Sequence, residues 1–357
     1  MTSFFSRLVG CIGVLAVAGA LAGLPTVAWA QSTSAGAQPS TLQTVLDRGV
    51  VNCGVVLSGT GLSAVDVDGT WSGFFPDLCR AVAAALFGDP EAIEFIEVDF
   101  VSRFDGLRDG HYDLLMSTAT WTVRRDRALG LAFTGTVYYD GQGFLAHRSL
   151  GATNLDALEG ALSVCVHDGT TTIRNLHDLI RTRYPNLSAR EYLSDEGGYE
   201  AFFSRRCDLL TQDRTALLSQ RQSRAPNPSD YVLFDDVISR EPLGPAVREG
   251  DEAWFDVVQW VMFGLIIAEE HGITQAGVHA LDPDDVAPEA ARLLGYEGDV
   301  GVWLGLPPDW GYQAIAAVGH YGEVFDRNLG AGSALGQPRG INDLWTRGGL
   351  IYAPPLR

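Results

Sequence analysis

The sequence predicts an α/β protein of two lobes with a ligand cleft between them, each lobe built on a parallel-type sheet. Strand-like and helix-like segments alternate twice, across residues 50–116 and again across 162–237. Parallel neighbours need a long crossover, which a helix supplies. The chain has 357 residues, 46% of them hydrophobic, enough for two domains with real cores. Finally, the segments richest in hydroxyls and charge directly follow predicted strands, where open parallel sheets bind ligands.

Residues 1–30 read as a secretory signal peptide: Arg7 gives a positive start, Leu8 to Leu24 an apolar run, and Ala28-Trp29-Ala30 a small-x-small cleavage site. A membrane anchor is the competing reading. Residues 31–40 are polar and small, a flexible leader. Leu42, Val45 and Leu46 form a helical stripe stopped by Gly49, and Val50–Leu57 is a valine-rich buried strand. The helix Pro76–Phe87 follows, with Gly88 as its stop. A strand at Ile93–Phe100, a short helix at Arg103–Asp109 and a strand at Tyr112–Met116 complete the first unit.

In the second unit Leu162–Val166 is a strand, Gly169-Thr170-Thr171-Thr172 opens a helix, and Glu191–Leu193 is a strand. Gly198–Ser204 is a helix, and Cys207–Thr211 and Val232–Val237 are strands. The units are linked near His147–Ala152 and Ser239–Gly244. The predicted lobes are therefore 41–147, 148–240 and a return to the first lobe over 241–357 with a C-terminal extension. That return begins with Ala246–Arg248 and a long helix, Glu252–His271. Its apolar run Val257–Ala268 is shorter than the roughly 20 residues that span a bilayer, so it reads as a buried helix.

There are 44 Asp and Glu against 25 cations, a formal charge of −19, and every cation is arginine. The absence of lysine excludes a Schiff-base lysine, a Walker-type phosphate lysine and a Ser-Lys pair. The acidity excludes a nucleic-acid partner, which needs a basic face. No GxSxG elbow, zinc-ligand spacing or marked carboxylate pair occurs, and His167 and Asp168 beside the cleft are weak candidates. No cofactor or metal is expected.

Cys53, Cys79, Cys165 and Cys207 remain after cleavage, and an oxidising compartment favours disulfides. Three pairings are possible; Cys53–Cys79 with Cys165–Cys207 keeps each bond within one predicted lobe.

Three post-strand segments could carry ligand chemistry: Ser117 to Asp126 with its hydroxyls and Arg124-Arg125, the helix start Gly169 to Thr172, and Gln212-Asp213. An arginine fork matches a carboxylate bidentately, a helix start adds N–H donors, and Asp213 suits an ammonium. The inventory suits a zwitterion. Each residue also has an ordinary reading: a solvated arginine, a threonine N-cap, an aspartate cap.

The blocks TLQTVLDRGVVNCGV (41–55), WSGFFPDLCRAVAAALFGD (71–89), RFDGLRDGHYDLL (103–115), TWTVRRD (120–126), SVCVHDGTTT (163–172), SRRCDLLTQD (204–213) and LGLPPDWGYQAIAAVGHYGEVFDRNLG (304–330) occur in order. With them the chain resembles the periplasmic solute-binding proteins of polar-amino-acid ABC transporters, most of all the general L-amino-acid-binding branch. The likeness covers nearly all of 41–357. It implies the type II periplasmic-binding-protein fold, two lobes joined by two hinge crossings and closing on a free L-amino acid. It further implies a periplasmic monomer that delivers the ligand to inner-membrane ABC permease subunits.

By position, the resemblance gives Arg125 the α-carboxylate, Thr118 and Thr120 hydroxyl contacts, Thr171 with Thr170 nearby a supporting carboxylate contact, and Asp213 the α-ammonium. Leu62 stands where the family often stacks an aromatic ring on the ligand, and Phe100 is a candidate wall of the side-chain pocket. The rival is an enzyme on the same fold, a dehydratase acting on an amino-acid-like cyclohexadienyl substrate; no motif identifies the acid it needs. A sensory module signalling through a membrane partner is the third reading.

Overall fold

The computed structural model describes residues 40–357; the expected signal peptide and residues 31–39 of the leader lie outside the described residues. Ser40 accepts from Gln43 N–H to cap the helix Thr41–Arg48, and Gly49 ends it at φ 75°. That left-handed turn is why a glycine stands there.

The first sheet has the strand order Ile93–Glu97, Val51–Val55, Leu114–Leu115, Ala246–Arg248, Leu131–Phe133. Its first three strands are parallel, and Ala246–Arg248 runs antiparallel to both neighbours. The second sheet repeats the plan: Leu187–Tyr192, Leu162–His167 and Leu209–Asp213 are parallel, followed by the antiparallel Gln142–His147 and then Tyr231–Leu233. Each expected parallel sheet thus carries an antiparallel component contributed by chain that has crossed between lobes.

The first lobe has the larger core. The helix Phe74–Phe87 buries residues around almost its whole circumference, because it lies between the sheet and the helices Glu252–Glu270 and Trp310–Val318. Ala81, Ala83, Ala84 and Ala85 keep it slim enough for neighbours on every side. The apolar run Val257–Ala268 is indeed buried within Glu252–Glu270. Among the described residues no helix is long and apolar enough to cross a membrane.

The second lobe spreads thinner apolar layers over both faces of its sheet. Strand alternation sorts them: Phe144, Val164 and Leu209 lie on one face, and Leu145, Cys165 and Leu210 on the other. Each lobe holds one disulfide, Cys53–Cys79 in the first and Cys165–Cys207 in the second.

Two short strands, Tyr138–Asp140 and Glu241–Leu243, pair antiparallel and carry the chain between the sheets. This corrects the first predicted boundary. Gln142–His147 belongs to the second sheet, so the outward crossing lies near Tyr138–Asp140 rather than at His147–Ala152. The strand is buried on both faces over its first five residues and so lacks the alternation that marks a strand in sequence. Asn342, from the C-terminal extension, completes the crossing. Its Oδ1 accepts from Tyr139 N–H at 2.6 Å and its Nδ2 donates to Tyr139 O at 2.9 Å.

Candidate functional site

The lobes meet along both rims of the cleft. Thr60 N–H donates to Ser223 Oγ at 3.0 Å, and Ser219 Oγ donates to Ser58 O at 3.0 Å. Elsewhere Phe100 N–H reaches Asp195 Oδ1 at 3.4 Å. Gly169, at φ 71°, sits so near Phe100 that a Cβ there would stand 2.8 Å from the Phe100 carbonyl oxygen. A side chain would wedge the lobes apart at that point.

Polar side chains are collected behind these contacts. The segment after Leu114–Leu115 leads into the helix Val123–Ala128, whose N-cap Thr122 accepts from Arg125 N–H. A helix turns about 100° per residue, so the neighbouring arginines diverge: Arg124 is exposed, whereas Arg125 is only 6% exposed. Arg125 Nη1 donates to Thr120 O at 2.8 Å, and its guanidinium lies 4.6 Å from the Phe104 ring centroid.

From the second lobe, Asp213 ends the strand Leu209–Asp213 and stands at the N-cap of Arg214–Arg224. Its side chain makes no capping bond, and the residue is 4% exposed. Neither Arg125 nor Asp213 has an ion-pair partner within 4.0 Å among the described residues. They nevertheless feel one another. Burial holds the Asp213 carboxyl well above the usual range, Asp140 and Glu241 push it further, and Arg125 and Arg103 pull it back. Burial lowers Arg125 to about 9, with repulsion from Arg103 adding to it and Asp213 and Glu241 opposing it, so it stays charged at neutral pH.

The threonines divide. Thr118 and Ser117 are buried, and among the described residues their hydroxyls have no hydrogen-bond partner. Thr170 caps the helix Thr171–Thr182 by accepting from Ile173 N–H, and donates to His167 O at 2.8 Å. Thr120 and Thr171 both donate to Glu241 Oε2. In this form their hydroxyls are therefore held by a carboxylate of the crossing strand. Asn175 Nδ2 and Ser239 Oγ donate to the other oxygen of Glu241. This knot lines a cavity of about 530 Å³ with Thr122, Val237 and Arg240.

Phe100 is 1% exposed and lies outside the apolar cores of the described residues, against the Arg103 guanidinium at 4.8 Å and the His167 ring at 5.4 Å. It stands between the lobes. Leu62 is a correction: it belongs to the apolar core of the first lobe, because Phe74 N–H and Phe75 N–H tie its turn to the start of the helix Phe74–Phe87 through Gly61 O and Leu62 O. His167 is buried and pushed down to about 4, chiefly by burial, so it is neutral and its Nε2–H donates to Asp195 O at 3.0 Å.

Sequence reasoning missed two groups. Glu241 reads as a loop acid before Pro242, yet ties both lobes to the crossing. Arg103 reads as the solvated start of a short helix, yet is 1% exposed. A preceding strand end was the only available hint to its position.

Comparison with known proteins gives one consistent result. Residues 51–269 match the model of the bacterial extracellular solute-binding proteins, family 3. The chain is 42% identical over 332 residues to the glutamate/glutamine/aspartate/asparagine-binding protein BztA of Rhodobacter capsulatus, covering 93% of this chain and 98% of that one. It is 43% identical over 323 residues to the general L-amino acid-binding periplasmic protein AapJ of Rhizobium johnstonii, covering 90% and 94%. An ABC transporter/periplasmic binding protein from Brucella ovis, solved with glutathione bound, superposes with a TM-score of 0.85 at 41% identity, covering 89% of this chain and all of that one.

Proposed function

The chain belongs to the bacterial extracellular solute-binding proteins of family 3, and on that premise we propose that it is a periplasmic receptor for free L-amino acids that serves an inner-membrane ABC permease. The observation that carries the reading is the pair Arg125 and Asp213. One lobe brings a buried cation, the other a buried anion, and neither has an ion-pair partner of its own among the described residues. An α-carboxylate on the Arg125 fork and an α-ammonium on Asp213 neutralise both at once.

The same arrangement couples binding to closure. A ligand held by both lobes has differential affinity for the form in which they meet, and so shifts the population towards it through the crossing strands. Thr118 supplies a further hydroxyl, and Thr171 and Thr170 present the start of the helix Thr171–Thr182 on the opposite side. Phe100 walls the side-chain pocket. In this reading the signal peptide is removed after Ala30 and the mature receptor acts as a periplasmic monomer. It is not an enzyme: a cyclohexadienyl amino-acid analogue incubated with it is expected to be recovered unchanged.

Calorimetric or thermal-shift titration against all common L- and D-amino acids, with glutathione as a separate arm, tests the proposal. Saturable binding of L-amino acids is expected. If no amino acid binds, the receptor reading is wrong.

A further inference from the structure

Asp213 stands at the N-cap of the helix Arg214–Arg224, where an aspartate ordinarily accepts from the second or third helical N–H, yet it makes no such bond. The donor at the second position, Thr215 N–H, is not idle. It donates to Asp140 Oδ2 at 3.1 Å, across 75 positions of sequence. Asp140 ends the crossing strand Tyr138–Asp140, and that segment meets the helix start through more than its carboxylate. Gly141 O accepts from Arg214 N–H at 2.9 Å, and the Tyr138 and Thr215 hydroxyls share a hydrogen bond of 2.9 Å.

Two carboxylates therefore converge on one helix start, and they repel. Burial comes first among the causes that raise Asp213, then repulsion from Asp140 and Glu241, with Arg125 and Arg103 opposing. Asp140 is itself raised to about 6 by burial, against its bonds from Gly141 and Thr215 and the charge of Arg214, so it is mostly ionised at neutral pH. A neutral cap such as serine or asparagine would avoid that repulsion. The arrangement does release Asp213 from its own helix. A side chain that caps its own helix is turned back over the first turn; one relieved of that bond keeps both oxygens for another donor.

We propose that Asp140 is a positioning residue for ammonium recognition: it caps the helix Arg214–Arg224 in place of Asp213, so that the Asp213 carboxylate faces the ligand instead of its own helix. The inference rests on the amino-acid receptor reading and adds to it the residue that keeps the anion available. Asp140 also pairs with Glu241 in the crossing ladder. One helix start thus joins the ammonium to the strands that bend when the lobes part.

Calorimetry and amide hydrogen exchange on the mature full chain test the proposal. Asp140→Ala is expected to weaken binding of every L-amino acid that wild type binds by about tenfold, because Asp213 turns to the vacated Thr215 N–H. Asp140→Asn, whose amide oxygen still accepts from that N–H, is expected to recover all but about threefold. In the Asp213→Ala background the same Asp140→Ala change is expected to cost less than about twofold, since the residue it acts through is gone. An equal factor in both backgrounds would show an independent structural role and overturn the proposal.

The exchange arm uses ligand-free protein. The Thr215 amide is expected to stay protected in Asp140→Ala, where Asp213 takes it over, and to exchange at least about tenfold faster when Asp140→Ala and Asp213→Ala are combined. Exchange in Asp140→Ala as fast as in the double variant overturns the proposal, because Asp213 then never takes the cap. If Asp140→Ala does not fold, Asp213→Ala alone decides: its Thr215 amide is expected to exchange as in wild type, and faster exchange overturns the proposal. Each of these failures leaves the receptor reading standing; wild type that binds no amino acid overturns that reading and this inference together.

Discussion

In the first lobe a five-stranded sheet with one antiparallel strand, Ala246–Arg248, lies beneath helices drawn from both ends of the chain, and its core is deep; in the second, a sheet of the same order carries two thin apolar layers. The chemistry differs as well. The first lobe brings the buried arginines, Arg103 and Arg125, and the second brings Asp213 and a helix start. A shared backbone plan therefore does not imply a shared role. The two like charges share the ring of Phe104, which belongs to the smaller apolar cluster of the first lobe rather than to its deep core. The thinner lobe needs only to present one anion and a set of N–H groups to the opposite wall.

The sharpest way to break that comparison is to remove one charge from each side. Arg125→Ala and Asp213→Ala are each expected to weaken amino-acid binding by about 2–5 kcal/mol, at least tenfold in affinity, because each strands the opposite charge of a buried pair. Wild-type affinity in both, read by calorimetry, would refute the division of labour.

Removing the crosslinks probes the cores. Cys165→Ala with Cys207→Ala is expected to cost about 3–4 kcal/mol by loop entropy and to give the second lobe its own, earlier melting step. Cys53→Ala with Cys79→Ala costs a similar amount but leaves the first lobe melting as one unit within its larger core. A single coincident transition in both variants would show that the lobes share one stability.

Glu241→Gln tests the join. The amide keeps one acceptor oxygen and replaces the other with a donor, where Thr120 and Thr171 now donate to Oε2 and Asn175 and Ser239 to Oε1. Affinity is expected to fall about tenfold through a weaker closed form, seen as a larger scattering radius in the variant.

The smallest effect is one of pH. Burial raises Asp195 to about 6, with Asp99 and Glu97 adding repulsion while Phe100 N–H and Arg103 oppose it. A carboxyl whose folded pKa is raised contributes stability that is complete below its ordinary pKa near 3.8 and is lost as pH rises through about 6. Asp195→Asn keeps the acceptor for Phe100 N–H. It is expected to raise Tm by a few degrees at pH 7.5 and to leave it unchanged at pH 4. Equal shifts at both pH values would exclude titration as the cause.

The parts of the fold that could be read from sequence were those with their own periodicity. The helix Glu252–Glu270 lies where its apolar pattern puts it, within one residue of the expected Glu252–His271. Gln142–His147 did not show itself, because its place is decided by antiparallel pairing with Leu209–Asp213, a partner some 65 residues away that no local pattern encodes. At the site, Arg124 and Arg125 are equivalent as letters; the phase of one short helix separates them. Arg103 was invisible for the opposite reason. Its guanidinium is packed against the rings of Phe100 and Phe104, a placement that tertiary packing decides and no local pattern announces.

The amide of Asn342 carries a mechanical consequence. By pairing with both backbone groups of Tyr139, it makes one of the two crossing strands three-ply over that residue, and the added ply arrives from 203 positions further along the chain. Bending the crossing at Tyr139 must shear those two bonds as well as the pairing with Glu241–Leu243. The stiffness of the joint, and with it the fraction of time the receptor stands open, is thus set partly by the tail, and a protease that clips the tail would loosen the clamp without touching any residue that meets the ligand.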